Sequence, residues 1–233
     1  MNDKYLVAAV KPWNISAYNK YVPRLNGQWH LVTEPVRLKS ELLNDLKPRF
    51  IFFPHWSWRV SNDVLKQNEC VCFHMTDLPY GRGGSPLQNL IVRGKKSTKI
   101  SALRMVPELD AGPIYMKRDL PLIGSAQEIY TRAADIIFEM IKDIVELTPT
   151  PKEQMGPITH FDRRKPKDSE LPYQGDLDML YDHIRMLDAE TYPPAFIEHG
   201  DYLIKFSEVS LENDTLKSRV IISRKPKKYQ FKR

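Results

Sequence analysis

Short apolar runs alternate with segments of helical periodicity along the first half of the chain. Four runs rich in aliphatic and aromatic residues predict buried strands, at residues 5–10, 29–32, 50–53 and 70–74. Helical patterns lie between them, at residues 15–21, 37–46 and 62–67. Because strands that alternate with helices are typical of α/β proteins, we predict an α/β fold built on an open, mostly parallel, twisted sheet.

The second half of the chain predicts two further strands and a long helix. The strands lie at residues 100–105 and 113–117. The helix spans residues 125–147, and Ser125 and Glu128 form a capping-box sequence at its start.

Two prolines indicate a domain boundary after the long helix. Pro149 and Pro151 end the helical pattern, so we expect a main domain of residues 1–150 and a small C-terminal α+β subdomain of residues 151–233. The subdomain pattern predicts one amphipathic helix and two strands, at residues 177–187, 202–209 and 218–223.

The positive charge of the chain is concentrated at its end. Of 233 residues, 42% are hydrophobic, which suffices for a core, and the formal net charge is +6. Six of the 35 Lys and Arg residues fall within residues 224–233, which hold no acid, so the rest carries 29 basic and 29 acidic residues. We expect a solvated tail, with a phosphate or nucleic-acid contact as the alternative.

The sequence predicts a cytoplasmic protein without a membrane partner. No apolar run approaches the ~20 residues of a membrane span, and the start MNDKYLVAAVKPW lacks the features of a signal peptide. Cys70 and Cys72 are two residues apart in a predicted strand, a spacing that does not suit a disulfide. A disulfide-stapled secreted protein is therefore excluded, and no metal site is expected.

A loop rich in glycine and proline follows the fourth predicted strand. It begins at His74 and continues as MTDLPYGRGGSP to Pro86. Because ligands of open α/β sheets bind at the carboxyl ends of the strands, this loop is the first candidate site. A histidine in such a place is an ordinary structural residue in most proteins, and the glycines lack the spacing of the phosphate-binding motifs. A nucleotide cofactor is therefore not expected.

Asp110 changes the interpretation of that histidine. It lies in the segment PELDAGPI between two predicted strands, so it also emerges beside the sheet. A carboxylate that accepts a hydrogen bond from one imidazole nitrogen fixes the tautomer and leaves the other nitrogen as a base. If the two loops meet, His74 and Asp110 form a pair suited to proton transfer.

The two loops together resemble the signature of a known family. From His74 the motif is HxTDLPxGRGxxP, preceded by Cys72, and LDAGPI follows around Asp110. These motifs are similar to the NxHxSLLPxYRGxxPxxxAI and LDxGxI of the formyltetrahydrofolate-dependent formyltransferases. Residues 89–98 resemble the family's AIxxGxxxTG, and the resemblance covers residues 3–147. It continues more weakly through RRKPKDSEL and residues 184–196, and it implies a Rossmann-like catalytic domain at residues 1–150.

The resemblance implies an N-formyltransferase that uses 10-formyltetrahydrofolate as co-substrate. His74 matches the family's general base, and Asp110 matches the partner that stabilises its imidazolium. The family's oxyanion donor is an asparagine, and Cys72 occupies its position. A thiol is a weak donor, so either another group donates, with His55 and Asn89 as candidates, or the role is redistributed. Cys72 is then either a nucleophile or, as we favour, a buried small residue.

The resemblance also implies a folate site in the loops beside the catalytic pair. The matching positions, with main-chain amides and aromatic rings suited to a pterin, are Trp56, Ser57, Trp58, Thr76, Asp77, Leu78, Pro79, Val106, Pro107, Glu108, Leu109 and Asp110. The alternative is that the two tryptophans belong to the core.

Family members formylate methionyl-tRNA, glycinamide ribonucleotide, nucleotide-linked amino sugars or amino acids carried by peptide synthetases. The neutral charge of residues 1–223 argues against tRNA, and the segment RRKPKDSEL argues against glycinamide ribonucleotide. The loop sequence is similar to that of sugar formyltransferases of the pseudaminic-acid type. We therefore expect an amino sugar, with methionyl-tRNA or a peptide-synthetase-type substrate as alternatives. Candidate substrate-binding residues are Lys11, Trp13, Asn14, His55, Arg82 and Asn89.

A hypothesis of another class is a folate-binding module that has lost catalysis. Cys72 favours this hypothesis, because the family's oxyanion donor is missing from that position. The presence of both His74 and Asp110 weighs against it. The sequence is also compatible with a homodimer.

Overall fold

The computed structural model describes residues 3–225. Its strands are β1 (Lys4–Ala8), β2 (Gln28–Val32), β3 (Phe50–Pro54), β4 (Cys70–His74), β5 (Arg82–Gly83), β6 (Ser97–Arg104), β7 (Ile114–Pro121), β8 (His160–Phe161), β9 (Ala195–His199), β10 (Tyr202–Glu212) and β11 (Thr215–Arg224). Its helices are α1 (Pro12–Tyr21), α2 (Ser40–Leu46), α3 (Asn62–Gln67), α4 (Pro86–Val92), α5 (Ala126–Leu147) and α6 (Leu177–Arg185). Beyond Lys225, the predicted basic tail lies outside the described residues.

The chain forms two compact units that interleave along the sequence. The first contains the chain up to Pro86, Lys96–Leu122 and Ile129–Arg163, and the second contains Leu87–Lys95, Ile123–Glu128 and the chain from Arg164 onward. This division differs from the boundary expected after residue 150. Residues 151–163 belong to the first unit because β8 pairs with β5 and Lys152 forms a bridge with Ile114.

The first unit is built on a six-stranded sheet in the order β2-β1-β3-β4-β6-β7. The pairs β2-β1, β1-β3 and β3-β4 are parallel, and β4-β6 and β6-β7 are antiparallel. The predicted α/β fold with a mostly parallel sheet is confirmed. The carboxyl ends of β1, β3 and β4 lie at one edge, which is where an open α/β sheet binds ligands.

Both faces of this sheet are covered, which explains why its central strands are apolar throughout. On one face, alternate residues of β1, β3 and β4 pack with Leu43 and Leu46 of α2 and Val64 of α3. The periodicity at residues 37–46 is only partly helical, because α2 begins at Ser40 after a 3-10 turn at Pro35–Arg37. Phe52 belongs to the other face, where it stacks with Trp29 at 6.2 Å between ring centroids.

The long helix α5 begins as its sequence predicts. The Ser125 main-chain N–H donates to Glu128 Oε2 at 2.7 Å, and the Glu128 N–H donates to Ser125 Oγ at 3.3 Å. These reciprocal bonds form a capping box, which satisfies donors at the first turn of the helix.

The second unit contains an antiparallel sheet in the order β11-β10-β9 and the helix α6. The Asp176 side chain caps α6 by accepting from the Met179 N–H at 2.7 Å. The predicted helix and two strands of this subdomain are present, and β9 is an additional strand. Its sequence AFIEH is short and does not alternate clearly between apolar and polar residues.

No helix within residues 3–225 is long and apolar enough to cross a membrane. The same residues contain no group of three or more His, Cys, Asp or Glu side chains arranged to hold a metal ion.

Candidate active site

Three titratable residues gather at the carboxyl edge of the parallel strands. His74 ends β4, His55 follows β3, and Lys11 precedes α1. The β3–β4 register ends with Pro54 paired to Phe73, so His55 and His74 both follow directly after this pair. Burial, with smaller effects from the charges of Lys11 and His74, lowers the pKa of His55 to about 3. The charges of Lys11 and His74 therefore both act on the His55 ring.

His74 and Asp110 are brought together by the two predicted loops. His74 is 8% exposed, and its Nδ1 lies 3.6 Å from Asp110 Oδ2. The other ring nitrogen, Nε2, is 2.8 Å from the Gly81 carbonyl oxygen. Because a carbonyl only accepts, Nε2 carries the hydrogen and Nδ1 is the basic nitrogen of the neutral ring. The group that fixes the tautomer is thus the Gly81 carbonyl rather than the Asp110 carboxylate.

Asp110 is held by hydrogen bonds to its side chain and to its main chain. The Gly83 N–H donates to Oδ2 at 2.9 Å. The Gln154 side-chain amide donates to the carbonyl oxygens of Asp110 and Gly112 at 2.8 and 2.9 Å. Arg82 in turn donates to Gln154 Oε1 at 3.1 and 2.9 Å. This support holds Asp110 at a φ of +54°, which is rare for a residue with a side chain.

Sequence reasoning did not find Gln154. The residue lies in the segment between α5 and β8, where no local motif points to a site. Its side chain bonds to the main chain of Asp110 and Gly112. Only the tertiary fold brings these residues close to it. In contrast, the glycine of LDAGPI was visible in the motif, and a Cβ at Gly112 would lie 1.8 Å from the Arg104 carbonyl oxygen.

The segment 76–79 is tied firmly to the neighbouring strands β6 and β7. Ser101 Oγ donates to the Thr76 carbonyl at 2.7 Å and accepts from the Leu78 N–H at 3.3 Å. Burial raises the pKa of Asp77, but hydrogen bonds from Lys117 and Lys99 outweigh it and lower the pKa overall. The Leu78–Pro79 peptide bond is cis. The hydrogen bonds from Ser101 and Lys117 hold the main chain of this expected folate loop in place.

The two tryptophans after β3 differ in their surroundings. Trp56 packs against the core on one face of the sheet and contacts Phe53 edge-on at 5.6 Å. Its buried Nε1–H has no acceptor among the described residues. Trp58 is 47% exposed and lies 5.1 Å from Trp56 between ring centroids, and Ser57 is exposed. Trp56 thus fits the core alternative, while the exposed Trp58 ring is accessible to a ligand.

The third expected folate segment, Val106 to Asp110, is largely accessible. Pro107, Glu108 and Leu109 are exposed, and Leu109 retains 69% of its accessible surface. A charge pair between Glu108 and Arg82 at 3.5 Å connects the segment to the support behind Asp110.

Cys72 has the surroundings of a core residue. It is half-buried and packs against the apolar cluster on one face of the sheet. Burial and the nearby charge of Asp110 raise the pKa of its thiol well above the ordinary value. A thiol that stays protonated is a poor nucleophile. The structure therefore disfavours the nucleophile alternative, and it places Cys72 near the His74–Asp110 pair without supplying a strong donor.

His55 is held by two donors on one side of its ring. Trp13 Nε1–H and the Asn14 side-chain amide lie 3.0 and 3.1 Å from its Nδ1. Because both are donors, Nδ1 accepts and the hydrogen resides on Nε2. Tyr130 contacts the ring edge-on at 5.2 Å. The lowered pKa agrees with a ring that stays neutral.

Three of the expected substrate residues have structural partners instead. Asn14 is completely buried, so its amide, which also donates to the Pro54 carbonyl at 3.2 Å, positions neighbouring groups. Arg82 is 7% exposed and is engaged by Gln154. Asn89 lies on α4 in the other unit, where its side-chain oxygen accepts from Arg93 at 2.9 Å. Asn14 and Arg82 are thus engaged within the protein, and their role in substrate binding stays a prediction.

The remaining substrate candidates lie at the start of α1. Lys11 is half-buried, and burial lowers the pKa of its ammonium. Its Nζ lies 5.7 Å from the centre of the Trp13 ring, which stacks on Tyr130 at 4.8 Å with an interplanar angle of 5°. A desolvated cation beside stacked rings favours an anionic ligand group.

Comparison with known proteins gives the same assignment as the motifs. A solved methionyl-tRNA formyltransferase from Clostridium thermocellum is 44% identical, with a TM-score of 0.93 and coverage of 96% of this chain and 100% of that one. The chain belongs to the formyltransferase family. The resemblance predicted from the His74 and Asp110 motifs is thereby confirmed at the level of this family.

Other matches to formyltransferases have lower sequence identity or cover only part of the chain. Residues 166–223 match the description "Methionyl-tRNA formyltransferase, C-terminal domain". Methionyl-tRNA formyltransferase from Rickettsia bellii is 24% identical over 195 residues, covering 78% of this chain and 63% of the relative. The chain thus spans about three-fifths of the length of such curated relatives. A sugar N-formyltransferase from a Shewanella species shares the fold, with a TM-score of 0.63, 14% identity and coverage of 83% and 92% of the two chains.

Proposed function

We propose that this chain transfers the formyl group of 10-formyltetrahydrofolate to a primary amine. The observation that carries the proposal is the His74–Asp110 pair, held at the carboxyl edge of the sheet in the positions of the family's motifs. Formyl transfer requires a group that removes a proton from the attacking amine, and this pair supplies one.

The contacts of His74 support one route for the proton. The amine nitrogen attacks the formyl carbon, and the carbonyl electrons move to the oxygen. His74 Nδ1 takes the proton from the resulting ammonium, because Nε2 is already protonated and donates to the Gly81 carbonyl. Asp110, 3.6 Å away, stabilises the imidazolium. When the oxyanion collapses, the bond between the formyl carbon and the donor nitrogen breaks, and that nitrogen receives a proton from His74.

Three segments have the properties that a flat, hydrogen-bonding pterin requires. Segment 76–79 offers a main chain held by Ser101 and Lys117. Trp58 offers an exposed ring. Residues 107–109 offer an accessible loop beside Asp110. When bound there, the folate supplies an activated formyl group.

For the acceptor we favour a nucleotide-linked amino sugar. The charge balance of residues 1–223, with 29 bases and 29 acids, does not favour a large polyanion. Lys11 instead offers a partly buried cation near His55, suited to one phosphate or carboxylate of a small substrate.

Methionyl-tRNA is the second candidate. It is favoured by the 44% identity to a structure described as methionyl-tRNA formyltransferase and by the match of residues 166–223 to a domain of that enzyme. A tRNA acceptor requires a basic surface for its phosphates, and binding would fall steeply as salt increases.

One assay decides between these candidates. Release of tetrahydrofolate from 10-formyltetrahydrofolate is followed by absorbance with a panel of nucleotide-linked amino sugars and with charged methionyl-tRNA. The His74→Ala and Asp110→Asn variants serve as controls. Turnover with one amine that both variants abolish supports the proposal and identifies the acceptor. Folate binding without turnover on any amine contradicts it and favours the catalytically impaired folate-binding module.

A further inference from the structure

The site contains a base and its carboxylate, but the side chain at the family's oxyanion position is a poor donor. That position is Cys72, which packs half-buried against the apolar cluster. Its thiol is a weak hydrogen-bond donor. Charge that develops on the formyl oxygen therefore requires a donor from another element.

The contacts of His55 keep its ring neutral and fix which ring nitrogen carries the hydrogen. Trp13 and Asn14 both donate to its Nδ1, so Nε2–H is the only N–H of the ring. Nε2 lies 2.9 Å from Met75 Sδ. A thioether is a weak acceptor, so an approaching oxyanion competes successfully for this hydrogen.

The chain places His55 and His74 directly after one strand pair. Pro54 of β3 pairs with Phe73 of β4, and His55 and His74 are the next residues of their segments at the carboxyl edge. His55 has a φ of +50°, an unfavourable conformation for a residue with a side chain. Such strain persists only where the surrounding contacts hold it, and here Trp13, Asn14 and Tyr130 enclose the ring.

Other candidate groups are less suited to this role. The Asn14 amide already donates to the Pro54 carbonyl and to His55, and the residue is completely buried. Asn89 lies in the second unit. Lys11 carries a charge that suits a permanent anion on the substrate, and it serves below as the matched control.

We propose that His55 Nε2–H donates to the formyl oxygen as it becomes an oxyanion, and so replaces the asparagine amide that Cys72 lacks. The inference rests on the proposed formyl transfer. His55 gives up no proton: it stabilises the oxygen while the amine proton passes to His74, and the hydrogen bond weakens again when the carbonyl reforms. The pair of histidines thus divides two tasks, oxyanion stabilisation by His55 and proton transfer by His74.

The test compares His55→Phe, which keeps a planar ring without a donor, with His55→Gln, whose amide nitrogen reaches the position of Nε2. Loss of one oxyanion donor lowers enzymatic rates by about 100- to 1000-fold. We expect a loss of this size in kcat for His55→Phe, with the KM for the amine within about threefold and much of the rate retained in His55→Gln. Lys11→Met is expected to raise KM instead.

A second comparison separates the oxyanion role from a structural one. Cys72→Asn restores the family's donor, so the His55→Phe/Cys72→Asn double variant is expected to recover at least about tenfold of the lost kcat. Folate binding, followed by tryptophan fluorescence, shows that each variant is folded. If His55→Phe is unstable, His55→Gln is compared with His55→Asn, whose amide nitrogen reaches only the position of Nδ1 and is expected to be inactive.

The outcomes distinguish this inference from the proposed function. Unchanged kcat in His55→Phe, equal rates in His55→Gln and His55→Asn, or no recovery with Cys72→Asn overturns the role of His55 and leaves formyl transfer intact. Absence of turnover by the wild-type protein with every amine overturns both.

Discussion

The side-chain amide of Gln154 donates to the main-chain carbonyl of Asp110 at 2.8 Å, across 44 positions of the sequence. A second bond to the Gly112 carbonyl, at 2.9 Å, clamps both sides of the turn that presents the carboxylate. Arg82 prevents the amide from rotating, because it donates twice to the amide oxygen. The distance between the Asp110 carboxylate and the His74 ring therefore depends on Gln154, which bonds to the main chain of Asp110 and to neither of these two side-chain groups.

Replacing Gln154 is expected to impair kcat more than binding. In Gln154→Leu the turn at Asp110 loses both side-chain bonds, and displacement of a catalytic group by about 1 Å costs roughly 100-fold in rate. The KM for the amine is expected to change little. Steady-state kinetics measures kcat and KM.

Two variants control that experiment. Gln154→Glu keeps the size but places an acceptor against two carbonyl oxygens, so it should not rescue activity. Glu153→Ala changes an exposed neighbour and should behave as the wild type. Full activity in Gln154→Leu would show that the clamp is dispensable.

The sequence predicted that His74 and Asp110 meet but did not predict the groups that support them, for a physical reason. His74 and Asp110 lie in local motifs whose strands and loops are visible in the hydrophobic pattern. Gln154 and the tautomer of His55 depend on contacts between segments far apart in the chain, which no local pattern encodes. The antiparallel direction of β6 and β7 was also missed, because a buried strand has the same apolar pattern in either direction.

The short strand after α5 shows the same limit. Pro149 and Pro151 do end α5, but the chain returns to the first unit so that His160 and Phe161 pair with Arg82 and Gly83. Two-residue strands carry too little pattern to be recognised in a sequence.

Cys72 is expected to be unreactive and dispensable as a nucleophile. Burial raises the pKa of Cys70 to about 12 and that of Cys72 well above its ordinary value. Both thiols should therefore resist Ellman's reagent at pH 8 in the native protein and react fully in denaturant. Cys72→Ala is expected to keep activity within about threefold of the wild type, since no covalent step uses the thiol. Rapid labelling of Cys72 with loss of activity would restore the nucleophile hypothesis.

Gly112→Ala is expected to displace the Asp110 loop. The added Cβ would lie 1.8 Å from the Arg104 carbonyl oxygen, so the main chain must move. Overpacking of this kind costs about 1–3 kcal/mol, which thermal unfolding detects as a lowered Tm. Gly94→Ala is the control, because a Cβ there meets nothing within 4 Å, although its φ of +70° carries a smaller penalty. Equal Tm losses in the two variants would show that the Arg104 contact is unimportant.

The neutral state of His55 should make the stability of the protein depend on pH. Its pKa is lowered from 6.5 to about 3 by burial and by the charges of Lys11 and His74. The unfolded chain therefore binds more protons than the folded one between these two values, so stability is full above pH 6.5 and falls as the pH decreases towards 3. This group alone is expected to lower the free energy of unfolding by about 2 kcal/mol between pH 7 and pH 5.

The contribution of His55 can be isolated by comparison with His55→Gln, which does not titrate. Other groups add to the pH dependence of the wild type, including His183, whose pKa is also lowered by burial. They are common to both proteins, so the difference between the two denaturation curves at pH 5 and at pH 7 reports His55 alone. A smaller loss of stability at pH 5 in His55→Gln is the expected result. Parallel losses in the two proteins would mean that His55 is protonated in the folded state, which is incompatible with Trp13 and Asn14 both donating to its Nδ1.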